Sequence, residues 1–216
     1  YLGKIVTKRY PEKNIQILYQ GIDTKDWFET QDMKLKHPCV GLVQGATIWE
    51  KTKELLILPK ILEELPDVHF YWAGDGIYRN EVLPILEKFE NFHWIGAIDY
   101  PDKVREFLSE IDVYALISGI DMSPHTILEA SLMKKPILAT DIGGVSESIT
   151  KENGFLIKKG EPSEWIKKIS LLIRDEHMID EMGKKSHEYV KNNFIWDKIA
   201  EDFVNILKQK TNLIKE

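Results

Sequence analysis

The residues 121–147, DMSPHTILEASLMKKPILATDIGGVSE, combine carboxylates with a helix start that suits an anion. Ser123 is predicted as the N-cap and Pro124 as the first helical residue, which would leave the backbone amides of His125–Ile127 free. Free amides and the helix dipole together attract negative charge. The same residue types are typical of an ordinary helix start, so this tetrapeptide alone leaves both interpretations open.

Glu129 lies one turn further along the predicted helix, among apolar neighbours. A capping box would place the acid at the third helical position, which Thr126 occupies. A carboxylate at position 129 either stays solvated on a polar face of the helix or finds a hydrogen-bonding partner. A diol such as ribose is one such partner. Asp121, in the preceding loop, could reach a second polyol from the other side.

Other loops after predicted strands carry weaker signals. Ligands of open parallel sheets bind beyond the C-terminal ends of the strands, which draws attention to these loops. Gly143 and Gly144 allow close backbone approach or positive φ, although a tight turn would use them equally. Lys51 precedes a predicted helix and is a candidate charge for a phosphate, although a lone lysine is usually a surface residue. Gly74-Asp75-Gly76 is more typical of a turn than of a binding site, and taken alone it is a weak signal.

Several kinds of site are excluded by their missing motifs. The loop Gln44–Lys51 lacks both G-x-G-x-x-G and G-x-x-x-x-G-K-[ST], which argues against dinucleotide-binding folds and P-loop NTPases. H-E-x-x-H and G-x-S-x-G do not occur, and the six histidines lack metal-ligand spacing. Because Cys39 is the only cysteine, we exclude a disulfide framework and a cysteine zinc site. No metal site is predicted.

The bulk composition is that of an ordinary globular protein. The chain has 216 residues and a formal net charge of −6, which argues against nucleic acid as a partner. No apolar run is long enough to span a bilayer, and no signal-peptide pattern occurs at the start. We therefore expect a cytoplasmic protein, with membrane association left open but unsupported.

The elements that must position these residues alternate between short apolar runs and amphipathic segments. Continuous apolar strands separated by helices predict an α/β fold: a doubly wound parallel sheet of about six strands, Rossmann-like, followed by C-terminal helices. Pro59 and Pro84 should kink or break their helices. A lone strand is predicted at Ile15–Tyr19. The strands of the sheet are predicted at Cys39–Val43, Val68–Ala73, Phe92–Ile95, Val113–Leu116, Pro136–Ala139 and Gly154–Ile157. Helices are predicted at Thr52–Glu64, Arg79–Phe89, Asp102–Glu110, Thr126–Met133, Pro162–Asp175, Glu176–Asn193 and Trp196–Lys210.

The ordered set of motifs resembles the C-terminal, donor-binding domain of retaining glycosyltransferases of family 4, which have the GT-B architecture. The resemblance runs from about Ile15 to Lys208, and the order and spacing of its pieces make it specific. Its pieces are Gln20-Gly-Ile-Asp23 with Phe28, Gly74-Asp75-Gly76, Asp121 with Glu129-Ala130, Lys135–Glu147, Asn153-Gly154-Phe-Leu and Phe194-Ile-Trp196.

The resemblance implies a role for each candidate residue. Glu129 would hold the ribose of a nucleoside-diphosphate sugar, and Asp121 would hold hydroxyls of the donor sugar. Lys51 and the backbone of His125–Ile127 would hold the diphosphate. The backbone of Gly96–Ile98 would read the base, and Gly143 with Gly144 would complete the cofactor-binding set. The family transfers a sugar to an acceptor with retention and needs no metal for the phosphates.

This sequence departs from the family pattern in three ways. Ala46 stands where the family has an arginine, a loss that could cost about 10³-fold in rate by analogy with arginine fingers. Lys53 is the nearest cation that could compensate. Asp121 is one methylene shorter than the family's glutamate. Most of the acceptor-binding first domain is absent, so we expect this polypeptide to bind a donor without catalysing transfer.

The resulting interpretation divides the chain into three parts. Residues 1–36 would be the end of an N-terminal domain and a connector, residues 37–193 the nucleotide-sugar-binding domain, and residues 194–216 a closing helix. The predicted function is the donor half of a hexosyltransferase, with a sugar, lipid-linked sugar or polysaccharide as acceptor. Two alternatives stay open: a nucleotide-sugar-binding protein that has lost catalysis, and a GT-B sugar-nucleotide epimerase.

Overall fold

Six short apolar strands pair in parallel to form one sheet in the computed structural model, which describes residues 1–213. The strands are β1 (Cys39–Val43), β2 (His69–Ala73), β3 (Phe92–Gly96), β4 (Val113–Leu116), β5 (Ile137–Thr140) and β6 (Gly154–Ile157). Their order across the sheet is β3-β2-β1-β4-β5-β6, with β1 and β4 paired at the centre. Because all pairs are parallel, the C-terminal ends of the six strands lie at the same edge.

Helices connect the strands and cover both faces of the sheet. They are α1 (Leu2–Arg9), α2 (Trp49–Thr52), α3 (Leu58–Glu64), α4 (Arg79–Leu86), α5 (Asp102–Glu110), α6 (His125–Leu132), α7 (Pro162–Ile173), α8 (Glu176–Asn193) and α9 (Trp196–Leu213). Two 3₁₀ segments occupy Lys53–Ile57 and Val145–Glu147. None of the helices in residues 1–213 combines the length and the apolar character that crossing a membrane requires.

The predicted fold class is confirmed, because the sequence pattern of the strands reflects burial on both faces. Alternate residues of the central strands enter two separate cores: Leu42 and Phe70 pack on one side of the sheet, Tyr114 and Leu116 on the other. Every residue of β4 and β5 is buried. All six strands lie within one residue of their predicted bounds.

The N-terminal segment differs from its prediction. Ile15–Tyr19 forms no strand, and Ile17, Leu18 and Tyr19 are exposed. A strand needs a partner for its backbone groups, and the pairing in this part of the described chain is a single bridge between Ile22 and Ile195. The sequence analysis also missed α1, which has no buried residue and therefore a weak pattern.

Proline placement divides the first long helical segment. The predicted helix Thr52–Glu64 is instead the end of α2, a 3₁₀ segment and then α3, with Pro59 in the first turn of α3. Proline fits there because the first amides of a helix have no intrahelical acceptor. The expectation of a broken first turn at Pro59 is thus confirmed. Pro84 lies inside α4, which ends at Leu86 rather than Phe89.

Candidate functional site

The central pair of strands brings two predicted site residues together. The strand order reverses its direction between β1 and β4, and ligands of open parallel sheets usually bind outside the carboxyl ends of the strands at this point, which is here called the crevice. Lys51 Nζ lies 2.6 Å from Asp121 Oδ2, and both side chains are largely buried. The backbone joins the same loops, because the Gly119 amide donates to the Lys51 carbonyl at 3.2 Å.

The start of α6 differs in detail from the prediction. Pro124 is the N-cap residue, with an extended ψ of 110°, and His125 is the first helical residue. Ser123 therefore does not cap the helix, and no side chain takes that role. The Ile127 amide donates to the Pro124 carbonyl at 3.2 Å, so the prediction that it is free was wrong. The tight first turn satisfies that donor.

The remaining amides at the start of α6 are those of His125 and Thr126. Helix geometry gives the first amides of a helix no intrahelical acceptor, so these two are the ones suited to a phosphate. The Thr126 hydroxyl accepts a hydrogen bond from the Tyr114 hydroxyl at 2.6 Å, which ties the first turn to β4. His125 Nε2 is buried without a hydrogen-bonding partner in residues 1–213, and burial lowers the pKa of this imidazole.

Glu129 is a buried carboxylate, with only 4% of its surface exposed. Burial raises its pKa to about 7, and a hydrogen bond from the Tyr100 hydroxyl partly opposes this shift. Tyr100 itself lies in the loop after β3 and is 66% exposed. Glu129 therefore does not lie on a solvated helix face. It accepts a hydrogen bond from a tyrosine side chain at the edge of the crevice.

Gly143 and Gly144 let two loops approach each other. A Cβ built on Gly143 would lie 1.9 Å from the Asp121 carbonyl oxygen, and one on Gly144 would lie 2.1 Å from that of Met122. Gly143 also has a positive φ of 50°. The loop after β5 thus supports the backbone that carries Asp121. These glycines position a site residue, whatever direct ligand contacts they make.

The predicted base-reading segment lies on the other side of the crevice. Gly96 has a φ of 76°, and its carbonyl accepts from the Gly74 amide at 2.8 Å. Ile98 packs partly against the same core cluster as α6. The Gly96 carbonyl is therefore already used within the protein, and the peptide groups that follow it are the better candidates for a base.

Neither Ala46 nor the lysine closest to compensating for it supplies the charge of the family arginine. Ala46 is fully buried, and its backbone exchanges hydrogen bonds with Asp75 and Tyr78. A Cβ on Gly76 would lie 2.5 Å from the Ala46 carbonyl oxygen, so the two loops are in close contact. Lys53 Nζ, the cation that could compensate for the missing arginine, pairs with Glu50 at 2.5 Å.

Sequence reasoning missed Tyr100 and Tyr114. Tyr114 lies within an apolar strand, where the sequence pattern indicates no functional role, yet its hydroxyl reaches the first turn of α6. Tyr100 lies in a polar loop, and nothing in its neighbours indicates a carboxylate partner. The loop after β3 meets α6 in the folded chain, and this contact, which neither segment encodes alone, brings Tyr100 to Glu129.

With this geometry established, comparison with known proteins decides the family. The family profile described as Glycosyl transferases group 1 matches residues 44–175, which is more than half of the chain. The chain belongs to this family. It is 27% identical over 210 residues to N-acetyl-alpha-D-glucosaminyl L-malate synthase of Bacillus anthracis, a match that covers 91% of this chain and 54% of the synthase.

Solved structures share the fold of this glycosyl transferase group 1 chain at low sequence identity. Sucrose-phosphate synthase from Thermosynechococcus elongatus matches with a TM-score of 0.83 and 18% identity, over 97% of this chain and 56% of that one. The C-terminal domain of a glycosyl transferase group 1 family protein (LpcC) from Francisella tularensis matches with a TM-score of 0.70 and 20% identity, over 82% of this chain and 100% of that one. Anabaena Alr3699/HepE in complex with UDP-glucose matches with a TM-score of 0.75 and 20% identity, over 90% of this chain and 57% of that one.

The chain spans different shares of the proteins that it matches. It spans about half the length of the Bacillus anthracis relative and of the synthase structure, and the whole of the Francisella domain. The similarity to the first two of these proteins therefore concerns only the part of each that this chain covers.

Proposed function

We propose that this chain is the C-terminal, donor-binding domain of a retaining, family 4 type glycosyltransferase that takes a hexose from a nucleoside-diphosphate sugar. The observation that carries the proposal is Glu129, a buried carboxylate one turn behind a helix start that offers the amides of His125 and Thr126. Because a buried carboxylate is costly unless it is hydrogen-bonded, this position suits a ligand that brings hydroxyl donors.

The electrostatics of the crevice fit a diphosphate followed by a sugar. The helix dipole places partial positive charge at the start of α6, and Lys51 adds a full charge at the head of the neighbouring loop. Lys51 is paired with Asp121 at 2.6 Å. A bound diphosphate would draw Lys51 toward the phosphates, which would free Asp121 to accept hydrogen bonds from the donor sugar.

In this arrangement, the main requirement for catalysis is stabilisation of the negative charge that develops on the leaving group. Departure of the nucleoside diphosphate leaves an oxocarbenium-like sugar and places negative charge on the leaving phosphate. Lys51 and the two amides of α6 would bear that charge without a metal ion. The full reaction also needs an acceptor, which an N-terminal domain beyond residues 37–193 would bind. The comparisons favour neither the epimerase nor a binding protein that has lost catalysis.

Binding of nucleoside diphosphates tests the donor site directly. The structure of HepE with UDP-glucose makes uridine diphosphate the first ligand to try, with guanosine and adenosine diphosphates beside it. By titration calorimetry we expect one site per chain. The Glu129→Gln variant should bind about tenfold or more weakly, since the ribose hydroxyls lose a charged acceptor.

A matched variant separates this role from a general effect of charge. Glu63 is exposed on α3, away from the crevice, so Glu63→Gln makes the same change where no ligand is expected. Unchanged affinity in Glu129→Gln would refute the ribose role. Equal losses in both variants would show that the crevice is not the binding site.

Transfer and stereochemistry require the full-length protein. We expect the anomeric configuration of the product, followed by proton NMR, to match that of the donor. Release of an epimer without acceptor would support the epimerase instead. Restoring arginine at Ala46 is a poor test of lost catalysis, because a buried alanine leaves an arginine no room without displacing its neighbours.

A further inference from the structure

Although the sequence pattern predicted no metal site, we propose that His37, Cys39 and Asp112 form a binding site for a divalent transition metal, with Zn²⁺ as the best fit. The three residues offer one nitrogen, one sulfur and one oxygen, and these donor atoms all lie within 4.8 Å of one another. The cluster lies at the N-terminal ends of β1 and β4. It is thus at the opposite edge of the sheet from the donor crevice, about 15 Å away along strands of four or five residues.

The donor separations are close to those of a tetrahedral site. Zn²⁺ with bonds of about 2.0 Å to nitrogen or oxygen and about 2.3 Å to sulfur holds its light donors about 3.4 Å apart, and nitrogen and sulfur about 3.6 Å apart. His37 Nδ1 lies 2.9 Å from Asp112 Oδ2 and 3.7 Å from Cys39 Sγ. These two separations differ from the tetrahedral values by about 0.5 Å and about 0.1 Å.

A second carboxylate orients the histidine ring. His37 Nε2 lies 3.2 Å from Glu110 Oε1. When Nε2 carries the proton and donates it to Glu110, Nδ1 is left with a lone pair facing Cys39 and Asp112. Metal-ligating histidines almost always donate their other ring N–H to a carboxylate, a backbone carbonyl or a water molecule, which fixes the tautomer and raises the basicity of the ring.

The backbone holds the ligands in place. Cys39 is the first residue of β1, and Asp112 immediately precedes β4, to which β1 is paired in the register Val40–Val113. The Cys39 amide donates to Asp112 Oδ2 at 2.7 Å. His37 is half-exposed, so an ion can enter from solvent on its side and keep a water molecule as fourth ligand.

When Cys39 is ionised, a dication balances the charges around the cluster. A Cys39 thiolate, Asp112 and Glu110 carry three negative charges, and Lys135 supplies one positive charge that acts on both Cys39 and Asp112. Zn²⁺ brings the sum to zero. Because the thiolate is the form that binds metal ions, Cys39 would release its proton when the ion binds.

The test is titration of the reduced chain with Zn²⁺ and, as a spectroscopic probe, Co²⁺. We expect one equivalent of either ion to bind, with a thiolate-to-cobalt charge-transfer band in the near ultraviolet. Cys39→Ser should remove the band, and His37→Gln should lower the affinity about 100-fold. Glu110→Gln, which keeps an oxygen beside Nε2, should lower it about 10-fold, as expected for an outer partner.

Controls keep the result decisive if a variant is unstable. His37 is half-exposed, so His37→Gln decides the question should the buried Cys39→Ser chain fail to fold. His69 Nδ1 lies 3.0 Å from His93 Nε2 at the starts of β2 and β3, and His69→Gln tests whether that pair captures the ion instead. Absence of binding, a cobalt spectrum without the thiolate band, or loss of affinity only in His69→Gln would overturn the proposal.

Discussion

Glu129 shows how a single buried carboxylate links stability to ligand binding. Its pKa in the folded chain is about 7, against 4.5 for an unperturbed glutamate. Between these values the folded state binds more protons than the unfolded state, so the contribution of Glu129 to stability falls as the pH rises through this window. Above pH 7 the folded chain bears a buried charge that only a ligand or Tyr100 can stabilise.

We therefore predict that Glu129→Gln stabilises the ligand-free chain at pH 8. Glutamine resembles the protonated side chain, and the raised pKa corresponds to about 3 kcal/mol at most. Urea unfolding should show a gain at pH 8 that disappears near pH 4, and Glu63→Gln should show neither effect. A loss of stability of Glu129→Gln at pH 8 would contradict the view that the ionised Glu129 side chain destabilises the ligand-free chain.

Tyr100 should set the pH at which the donor binds. The ionised carboxylate is the better acceptor for ribose hydroxyls, so affinity for UDP-glucose should rise between pH 6 and 8 with a midpoint near the pKa of Glu129, about 7. Because the Tyr100 hydroxyl lowers that pKa, Tyr100→Phe should move the midpoint upward by about half to one pH unit.

Calorimetry across this pH range measures both midpoints. UDP-glucose is preferred to UDP because its diphosphate has no terminal group that titrates near pH 6. His125 is the other titratable side chain at the start of α6, and burial lowers its pKa. If the midpoint shifts in His125→Gln and not in Tyr100→Phe, then His125 rather than Glu129 causes the pH dependence, and our assignment is wrong.

At the scale of elements, the site depends on how closely the loops after β4 and β5 pack. Gly143→Ala places a methyl group 1.9 Å from the Asp121 carbonyl oxygen, so that loop must shift. We expect a loss of stability of about 1–3 kcal/mol and a larger loss of affinity for UDP-glucose than for UDP, because Asp121 is assigned to the sugar.

Gly160→Ala is the matched control for this change. Gly160 has a φ of 76° and Gly143 one of 50°, so both substitutions strain the backbone, but a Cβ on Gly160 meets nothing within 4 Å. The control should lose stability without discriminating between the two ligands. Equal discrimination in both variants would show that loop contact does not position Asp121.

At the scale of the whole molecule, a ligand that binds only the folded chain must raise its thermal stability. At 100 times its dissociation constant, the correct nucleoside diphosphate contributes about 2.7 kcal/mol. For a chain of this size that corresponds to a rise in melting temperature of about 5–10 °C. A thermal-shift screen with uridine, guanosine and adenosine diphosphates should single out one base. Identical shifts with all three would place recognition on the phosphates alone.

The sequence by itself determined the sheet and the family. Each strand is a continuous apolar run because helices cover both faces, so burial is written directly into the residue types, and the bounds follow within one residue. The motif order from Asp121 to Glu147 predicted a helix within one residue of its observed start and drew attention to Glu129 and the glycine pair, but it left open whether Glu129 is buried. Local patterns of this kind need no knowledge of which segments meet.

Only the tertiary structure decided the contacts between segments. Pairing of Lys51 with Asp121, of Tyr100 with Glu129, and of Cys39 with His37 and Asp112 each joins residues whose neighbours in sequence give no sign of the partner. The same holds for Ile15–Tyr19, whose strand-like residues found no partner strand. The physical reason is that a hydrogen bond, an ion pair or a strand ladder requires two groups, and the fold alone brings the second one within reach.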